Sequence, residues 1–186
     1  MDRAYISIAA GDVQNSSDGE LLGQLATKLP FALEPNQKAA WEYQIRHLRQ
    51  LAVALIGAHF FLEFLIPRMG RRADLIVLYA GIVFVVEYKV GALRFDRSSL
   101  DQVYGYGLDL KHFHETSHER PVVPILVATE ASYCDVQAVR WDRDKLSLPL
   151  NSIPSNLVQT ILSVGSSSQS EPIDAASWMA GRYRPT

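Results

Sequence analysis

The apolar residues of this chain change from a helical spacing to a strand-like spacing after Leu55. Between Asn36 and Leu55 they recur every three or four positions, which is typical of an amphipathic helix. The positions concerned are Trp41, Ile45, Leu48, Ala52 and Leu55. Asn36 is a suitable N-cap residue. The pattern therefore predicts one long helix that buries a single face.

Three strand-like runs follow this helix in quick succession. They span His59 to Arg68, Ala73 to Ala80 and Ile82 to Val90. Short turns at Met69-Gly70 and Ala80-Gly81 separate the runs. Connections this short require consecutive strands to pair antiparallel.

A second helix and a fourth strand complete the pattern. Ser98 to Asp101 resembles a capping box, and apolar positions from Leu100 to His114 continue one helical face. The run Val122 to Thr129 is almost wholly apolar, as expected of a strand buried on both faces. The order helix, three strands, helix, strand predicts an α/β fold with a mixed sheet flanked by helices.

The two ends of the chain are less regular than its centre. Residues 1–35 contain a polar, glycine-containing run and are interpreted as an amino-terminal extension, with a short helix near Leu21 to Leu29. Residues 36–165 form the predicted core, which ends in a helix around Asn156 to Val164. A serine-rich stretch at 166–172 is typical of a mobile linker, so residues 166–186 are interpreted as a linker and the start of a following domain.

Composition narrows the functional classes only a little. A chain of 186 residues that is 48% hydrophobic fits a single domain. Its net charge of −2 means that nucleic-acid binding would need a local basic patch. The lone Cys134 excludes an intrachain disulfide, Leu75 to Val86 is too short a run to span a membrane, and no signal-peptide pattern is present. We therefore expect a cytoplasmic protein.

The predicted turn at Ala80-Gly81 brings charged residues together. A hairpin centred there places Asp74 opposite Glu87, with Cβ atoms roughly 5 Å apart. Lys89 points to the same face because side chains alternate along a strand. Opposed carboxylates repel each other unless a cation neutralises them, and Mg²⁺, or Mn²⁺ in its place, suits oxygen ligands. The pattern predicts a metal site at Asp74 and Glu87; a solvated charge cluster is the alternative.

Further candidates for this site lie on the neighbouring elements. Glu42, at the edge of the apolar stripe of the first helix, is the predicted third carboxylate ligand, and Glu63 on the first strand is its alternative. Gln102 and Tyr106 lie one turn apart on the second helix, where they can hydrogen-bond the carboxylates or a phosphate. Their spacing also fits an ordinary amphipathic surface.

Two short motifs in these elements resemble those of known proteins. Arg72-Ala73-Asp74 followed by Val86-Glu87-Tyr88-Lys89 resembles the PD-(D/E)XK nuclease superfamily, with Ala73 in place of the usual proline. The run Gln102-Val103-Tyr104-Gly105-Tyr106 is similar to the Q-x-x-x-Y element of RecB-like nucleases. The resemblance implies a restriction-endonuclease-like αβββαβ core and Mg²⁺-dependent hydrolysis of phosphodiester bonds. It also implies that Asp74 and Glu87 are metal ligands and that Lys89 is the catalytic lysine.

A second resemblance extends further along the chain. Ile66-Pro67-Arg68, the stretch Asp101 to Lys111, Val123-Pro124-Ile125, and the terminal Trp178 and Tyr183 to Thr186 are similar to the amino-terminal nuclease region of bacterial proteins with a Schlafen-related superfamily 1 helicase module. This resemblance implies DNA as substrate, with RNA not excluded, and a helicase domain in the same full-length protein. The alternatives are a catalytically inactive nucleic-acid-binding or docking module with the nuclease fold, and a structural domain that serves a helicase.

Overall fold

The structure, a computed structural model, describes residues 3–29 and 32–186. In these residues a six-stranded sheet has its strands side by side in the order of the sequence. The strands are β1 (Ile6–Ala9), β2 (His59–Ile66), β3 (Arg71–Tyr79), β4 (Ile82–Lys89), β5 (Val122–Ala128) and β6 (Leu150–Ser152). β1 to β4 pair antiparallel, whereas β4, β5 and β6 pair parallel. The predicted mixed sheet is confirmed.

Helices cover both faces of this sheet. They are α1 (Ala10–Val13), α2 (Asp18–Thr27), α3 (Pro35–Ala54), α4 (Arg97–Phe113), α5 (Pro154–Ser166) and α6 (Ala175–Met179). Alternation along β3 sends Leu75 and Val77 into an apolar cluster with α2, α3 and α5, and Ile76 and Leu78 into a second cluster with α4 and α6. The chain is therefore an α/β protein with two separate apolar layers.

The central elements follow the predicted order of helix, three strands, helix and strand, and only their ends differ. α3 begins at Pro35 rather than after a cap at Asn36, because proline suits the first helical position, where no N–H is needed. α4 is capped by Asp96 instead of Ser98. The Asp96 carboxylate accepts the backbone N–H of Ser99 at 2.8 Å, which satisfies one of the free donors of the first turn.

The amino-terminal region contributes to the same sheet. β1 pairs with β2, with Ile6 opposite Leu62, so part of the predicted extension is an edge strand. The short predicted helix is present as α2, which starts earlier, at Asp18, because Ser17 and Glu20 form a capping box there. Residues 1–2 and 30–31 of the predicted extension lie outside the described residues.

The carboxy-terminal region packs onto the sheet as well. Trp178 of α6 is 1% exposed and lies 5.3 Å from Phe61, measured between ring centroids. Ser168 in the serine-rich stretch donates a hydrogen bond to the carbonyl of Ala80 at 2.8 Å. The region interpreted as a linker therefore contacts the core, and the following domain stays a prediction. No helix within 3–29 or 32–186 is long and apolar enough to cross a membrane.

Candidate active site

The turn between β3 and β4 sets the register of the candidate site. Ala80 and Gly81 both have positive φ, +50° and +75°, as a two-residue type I′ hairpin turn requires. Gly81 also has no room for a side chain, because an added Cβ would lie 2.6 Å from backbone and side-chain atoms of residues 170–171. The observed pairs include Ile76 with Val85 and Leu75 with Val86, so the predicted register is confirmed.

The β3–β4 ladder opens at the next position, where Asp74 lies. The pairing ends at Leu75 and Val86, and Asp74 Oδ2 accepts the backbone N–H of Tyr88 at 2.7 Å. A side chain thus takes the place of a backbone carbonyl at the point where the two strands separate. This bond holds the Asp74 carboxylate beside the segment of β4 that carries Glu87 and Lys89.

Glu87, Lys89, Gln102 and Tyr106 form one hydrogen-bonded network between β4 and α4. The Lys89 ammonium donates to Glu87 Oε1 and to Gln102 Oε1, each at 3.0 Å. The amide nitrogen of Gln102 donates to Glu87 Oε1 at 2.6 Å and to the Tyr106 hydroxyl at 2.7 Å. The expected contact between α4 and a site carboxylate is therefore present. Gln102 is the link that connects the other three side chains.

The second carboxylate oxygen of Glu87 is left without a partner. Glu87 is 5% exposed, and its Oε2 atom is buried and accepts no hydrogen bond from the described part of the chain. Buried polar atoms are almost always satisfied, and an unpaired carboxylate oxygen is costly because it has lost its water. The unpartnered Oε2 atom is suited to bind a cation. The other oxygen, Oε1, already accepts hydrogen bonds from Lys89 and Gln102.

Electrostatics at this site disfavour the fully charged state in the absence of a cation. Burial raises the pKa of Asp74 well above its ordinary value, and the negative charges of Glu87 and Glu63 raise it further. Burial also raises the pKa of Glu87, although Lys89 acts in the opposite direction. Burial and the charge of Glu87 raise the pKa of Tyr106 to about 12, so its phenol stays protonated at neutral pH. A cation between the carboxylates would offset their repulsion.

Glu42 is not brought to this site. Its side chain is 42% exposed and pairs with Lys38 at 3.6 Å, one turn earlier on α3. It lines a different surface pocket with Asp18 and Arg46. Successive residues of a helix are rotated by about 100° about its axis. Because Trp41 of α3 is buried against the sheet, the next residue, Glu42, points away from it.

Glu63 lies where Glu42 was expected. Its Oε1 atom accepts the indole N–H of Trp41 at 2.7 Å, and the Arg72 guanidinium donates to its backbone carbonyl. Burial raises the pKa of the Glu63 carboxyl. The hydrogen bond from Trp41 and the positive charge of Arg72 act in the opposite direction and lower this pKa. Glu63 and Asp74 line the same cleft.

This cleft is open and has a volume of about 430 Å³. The residues that line it include Trp41 of α3, Glu63 of β2, Arg71 and Asp74 of β3, and Gln102 of α4. The exposed Arg71 supplies positive charge beside the carboxylates. A phosphodiester could contact Arg71 and approach Asp74 in the same cleft.

Asp74 and Glu87 are the two carboxylates of this site whose fit to a cation can be considered. Within the described ranges, no three side chains of His, Cys, Asp or Glu type are grouped closely enough to hold one ion. Asp74 and the unpartnered oxygen of Glu87 nevertheless fit Mg²⁺, which commonly binds through one or two carboxylates and keeps several waters.

Comparisons of the chain with protein-family models, curated proteins and solved structures find no match. The function of the chain is therefore inferred from the geometry of this site and from the motif resemblance.

Proposed function

We propose that this chain is a divalent-metal-dependent nuclease domain that hydrolyses phosphodiester bonds in DNA. The observation that carries the proposal is the state of Glu87. Lys89 and Gln102 hold one of its oxygens, while the other is buried without a partner beside the opened ladder at Asp74. A carboxylate in this state is a poor stabilising element and a good cation ligand.

Asp74 and Glu87 are the residues that would hold Mg²⁺ or Mn²⁺. Such an ion polarises a phosphoryl oxygen and makes water more acidic. Asp74 is oriented for this role by the N–H of Tyr88, and Glu87 by the two donors on its Oε1. Both carboxylates are thus fixed before an ion arrives, which reduces the cost of binding.

Lys89 contributes positive charge next to the carboxylates. Its side chain is 30% exposed, so the ammonium can reach a substrate while it remains bonded to Glu87. We assign to it the stabilisation of negative charge that develops on the phosphate. Gln102 positions Lys89 and Glu87 relative to each other, and Tyr106 holds the Gln102 amide in turn.

The same proposal includes DNA as the substrate, a helicase domain in the full-length protein and a cytoplasmic location. DNA and helicase rest on the motif resemblance, and the location rests on the single cysteine. The exposed Arg71 on the cleft supports a polyanionic substrate without distinguishing DNA from RNA.

A panel of substrates tests the proposal. Linear, circular and single-stranded DNA and RNA are incubated with the protein in Mg²⁺, in Mn²⁺ and in EDTA. We expect cleavage of DNA with either metal, none in EDTA and none by an Asp74→Asn variant purified in parallel. Glu42→Gln is the matched control and should retain full activity. DNA binding without cleavage under every condition would instead favour the docking module.

A further inference from the structure

Glu63 stands opposite Asp74 in the register of β2 and β3. The pairs on either side are Leu62 with Leu75 and Phe64 with Ala73. Leu75 with Val86 is the last pair of the β3–β4 ladder, and Asp74 and Glu87 are the next residues of the two strands, where the ladder opens. Three adjacent strands therefore each bring one carboxylate to the same level of the sheet.

Both strands change face at this level. Leu62 and Leu75 belong to the apolar cluster beneath α3, whereas Phe64 and Ala73 belong to the cluster beneath α4. Glu63 has a φ of +52°, which is uncommon for a residue other than glycine. The switch turns Glu63 out of the regular strand alternation and into the cleft shared with Asp74.

Contacts of Glu63 hold both its backbone and its side chain in place. Arg72 donates to the backbone carbonyl, and the indole of Trp41, 1% exposed, donates to Oε1 at 2.7 Å. A neutral glutamine would satisfy the Trp41 N–H equally well. A second carboxylate opposite Asp74 adds repulsion that this hydrogen bond alone does not require.

We infer that Glu63 is the third acidic group of the proposed metal site and that it attracts the cation through the hydration water of the ion. This inference rests on the proposed function. We assign the indirect mode because Oε1 of Glu63 already accepts the Trp41 indole N–H at 2.7 Å. It also agrees with the tendency of Mg²⁺ to keep several waters.

Metal binding without substrate tests this inference separately from catalysis. Mn²⁺ is titrated calorimetrically into the wild-type protein and into Glu63→Gln, Asp74→Asn and Glu42→Gln. We expect Glu63→Gln to weaken Mn²⁺ binding about 10- to 100-fold, as removal of an outer-shell group typically does. Asp74→Asn should abolish binding, and Glu42→Gln should bind as the wild type does.

A Trp41→Phe variant separates the charge of Glu63 from its hydrogen bond. This variant keeps the carboxylate and loses the donor, so its Mn²⁺ affinity should fall less than that of Glu63→Gln. Equal losses in the two variants would overturn the inference. A Glu63→Gln variant that binds Mn²⁺ with wild-type affinity would also overturn the inference. If Asp74→Asn lost Mn²⁺ binding in the same experiment, the proposed function would still stand. A wild-type protein that binds no Mn²⁺ would overturn both.

A measurement on the unsubstituted protein applies even if a variant fails to fold. Anomalous scattering from Mn²⁺-soaked crystals locates the ion directly. We expect the ion on Asp74 and Glu87, with water between it and the Glu63 carboxylate. An ion placed on the side of Asp74 away from Glu63 would contradict the inference.

Discussion

Replacement of Asp74 by asparagine should stabilise the metal-free protein. The Asp74 carboxylate is desolvated and faces the charges of Glu87 and Glu63, which together raise its pKa. Asparagine removes the negative charge and keeps an oxygen that can accept the Tyr88 N–H, which Asp74 now accepts at 2.7 Å. The substitution therefore relieves repulsion without leaving a buried donor unpaired.

The size of this effect follows from the cross-strand geometry. Cross-strand pairs of opposite charge contribute roughly 0.2–1 kcal/mol, and we take a similar magnitude for the repulsion between opposed like charges. For a chain of this length, one kcal/mol moves Tm by about 2–4 °C. We expect the Tm of Asp74→Asn in EDTA to exceed that of the wild type by up to about 4 °C.

The gain in Tm that Asp74→Asn gives in EDTA should depend on pH in a defined direction. Because the folded-state pKa of Asp74 is raised, folding of the wild type is penalised fully above that pKa. The penalty disappears as pH falls through the raised pKa towards the ordinary value of about 3.9. The Tm advantage of Asp74→Asn should therefore be largest above the raised pKa of Asp74 and shrink as the pH falls through that pKa.

Added Mg²⁺ should reverse the order of stability. An ion that binds only the folded protein stabilises it by about 2.7 kcal/mol at one hundred times its Kd. The wild type should gain this stabilisation in thermal unfolding scans, and Asp74→Asn should not. Glu42→Gln should match the wild type with and without Mg²⁺. A lower Tm for Asp74→Asn in EDTA, together with a normal response to Mg²⁺, would refute the reasoning.

Four other substitutions test the remaining parts of the structure. Lys89→Met should abolish cleavage, measured on labelled DNA, while calorimetry still detects Mn²⁺ binding; activity near the wild-type level would remove Lys89 from the mechanism. Gln102→Ala and Tyr106→Phe should each lower the cleavage rate about 10- to 100-fold, because they orient the groups that bind metal and substrate. Unchanged rates would assign both residues to the fold. Trp178→Ala should cost about 3–5 kcal/mol in urea unfolding, as expected for a buried tryptophan. A loss below one kcal/mol would mean that α6 contributes little to the core.

The register of the β3–β4 hairpin, observed as far as Leu75 and Val86, was predictable because it depends on a local turn. Ala80 and Gly81 fix the pairing of β3 and β4 by themselves, and the alternating side chains follow from that pairing. Gln102 was predictable for a similar reason, since its helical position relative to Tyr106 is local. The short strands β1 and β6 carry too few residues for a clear alternating pattern.

The structure places Glu42 away from the cleft because of a tertiary detail. The rotation of α3 about its axis depends on how Trp41 packs, and local spacing does not determine it. The sequence did contain a signal for Glu63: a four-residue connection between Ile66 and Arg71 places Glu63 opposite Asp74. The positive φ that turns Glu63 into the cleft depends on the surrounding contacts, so the pattern of residues alone does not reveal it.

Removal and restoration of the metal ion during one cleavage reaction test whether the nuclease activity depends on a divalent cation. End-labelled linear DNA is incubated with excess wild-type protein in Mg²⁺, then with EDTA, then with Mg²⁺ restored above the chelator. The account predicts cleavage that stops with EDTA, resumes with Mg²⁺ and is absent throughout with Asp74→Asn. Cleavage that persists in EDTA, or that Asp74→Asn performs at the wild-type rate, would contradict it.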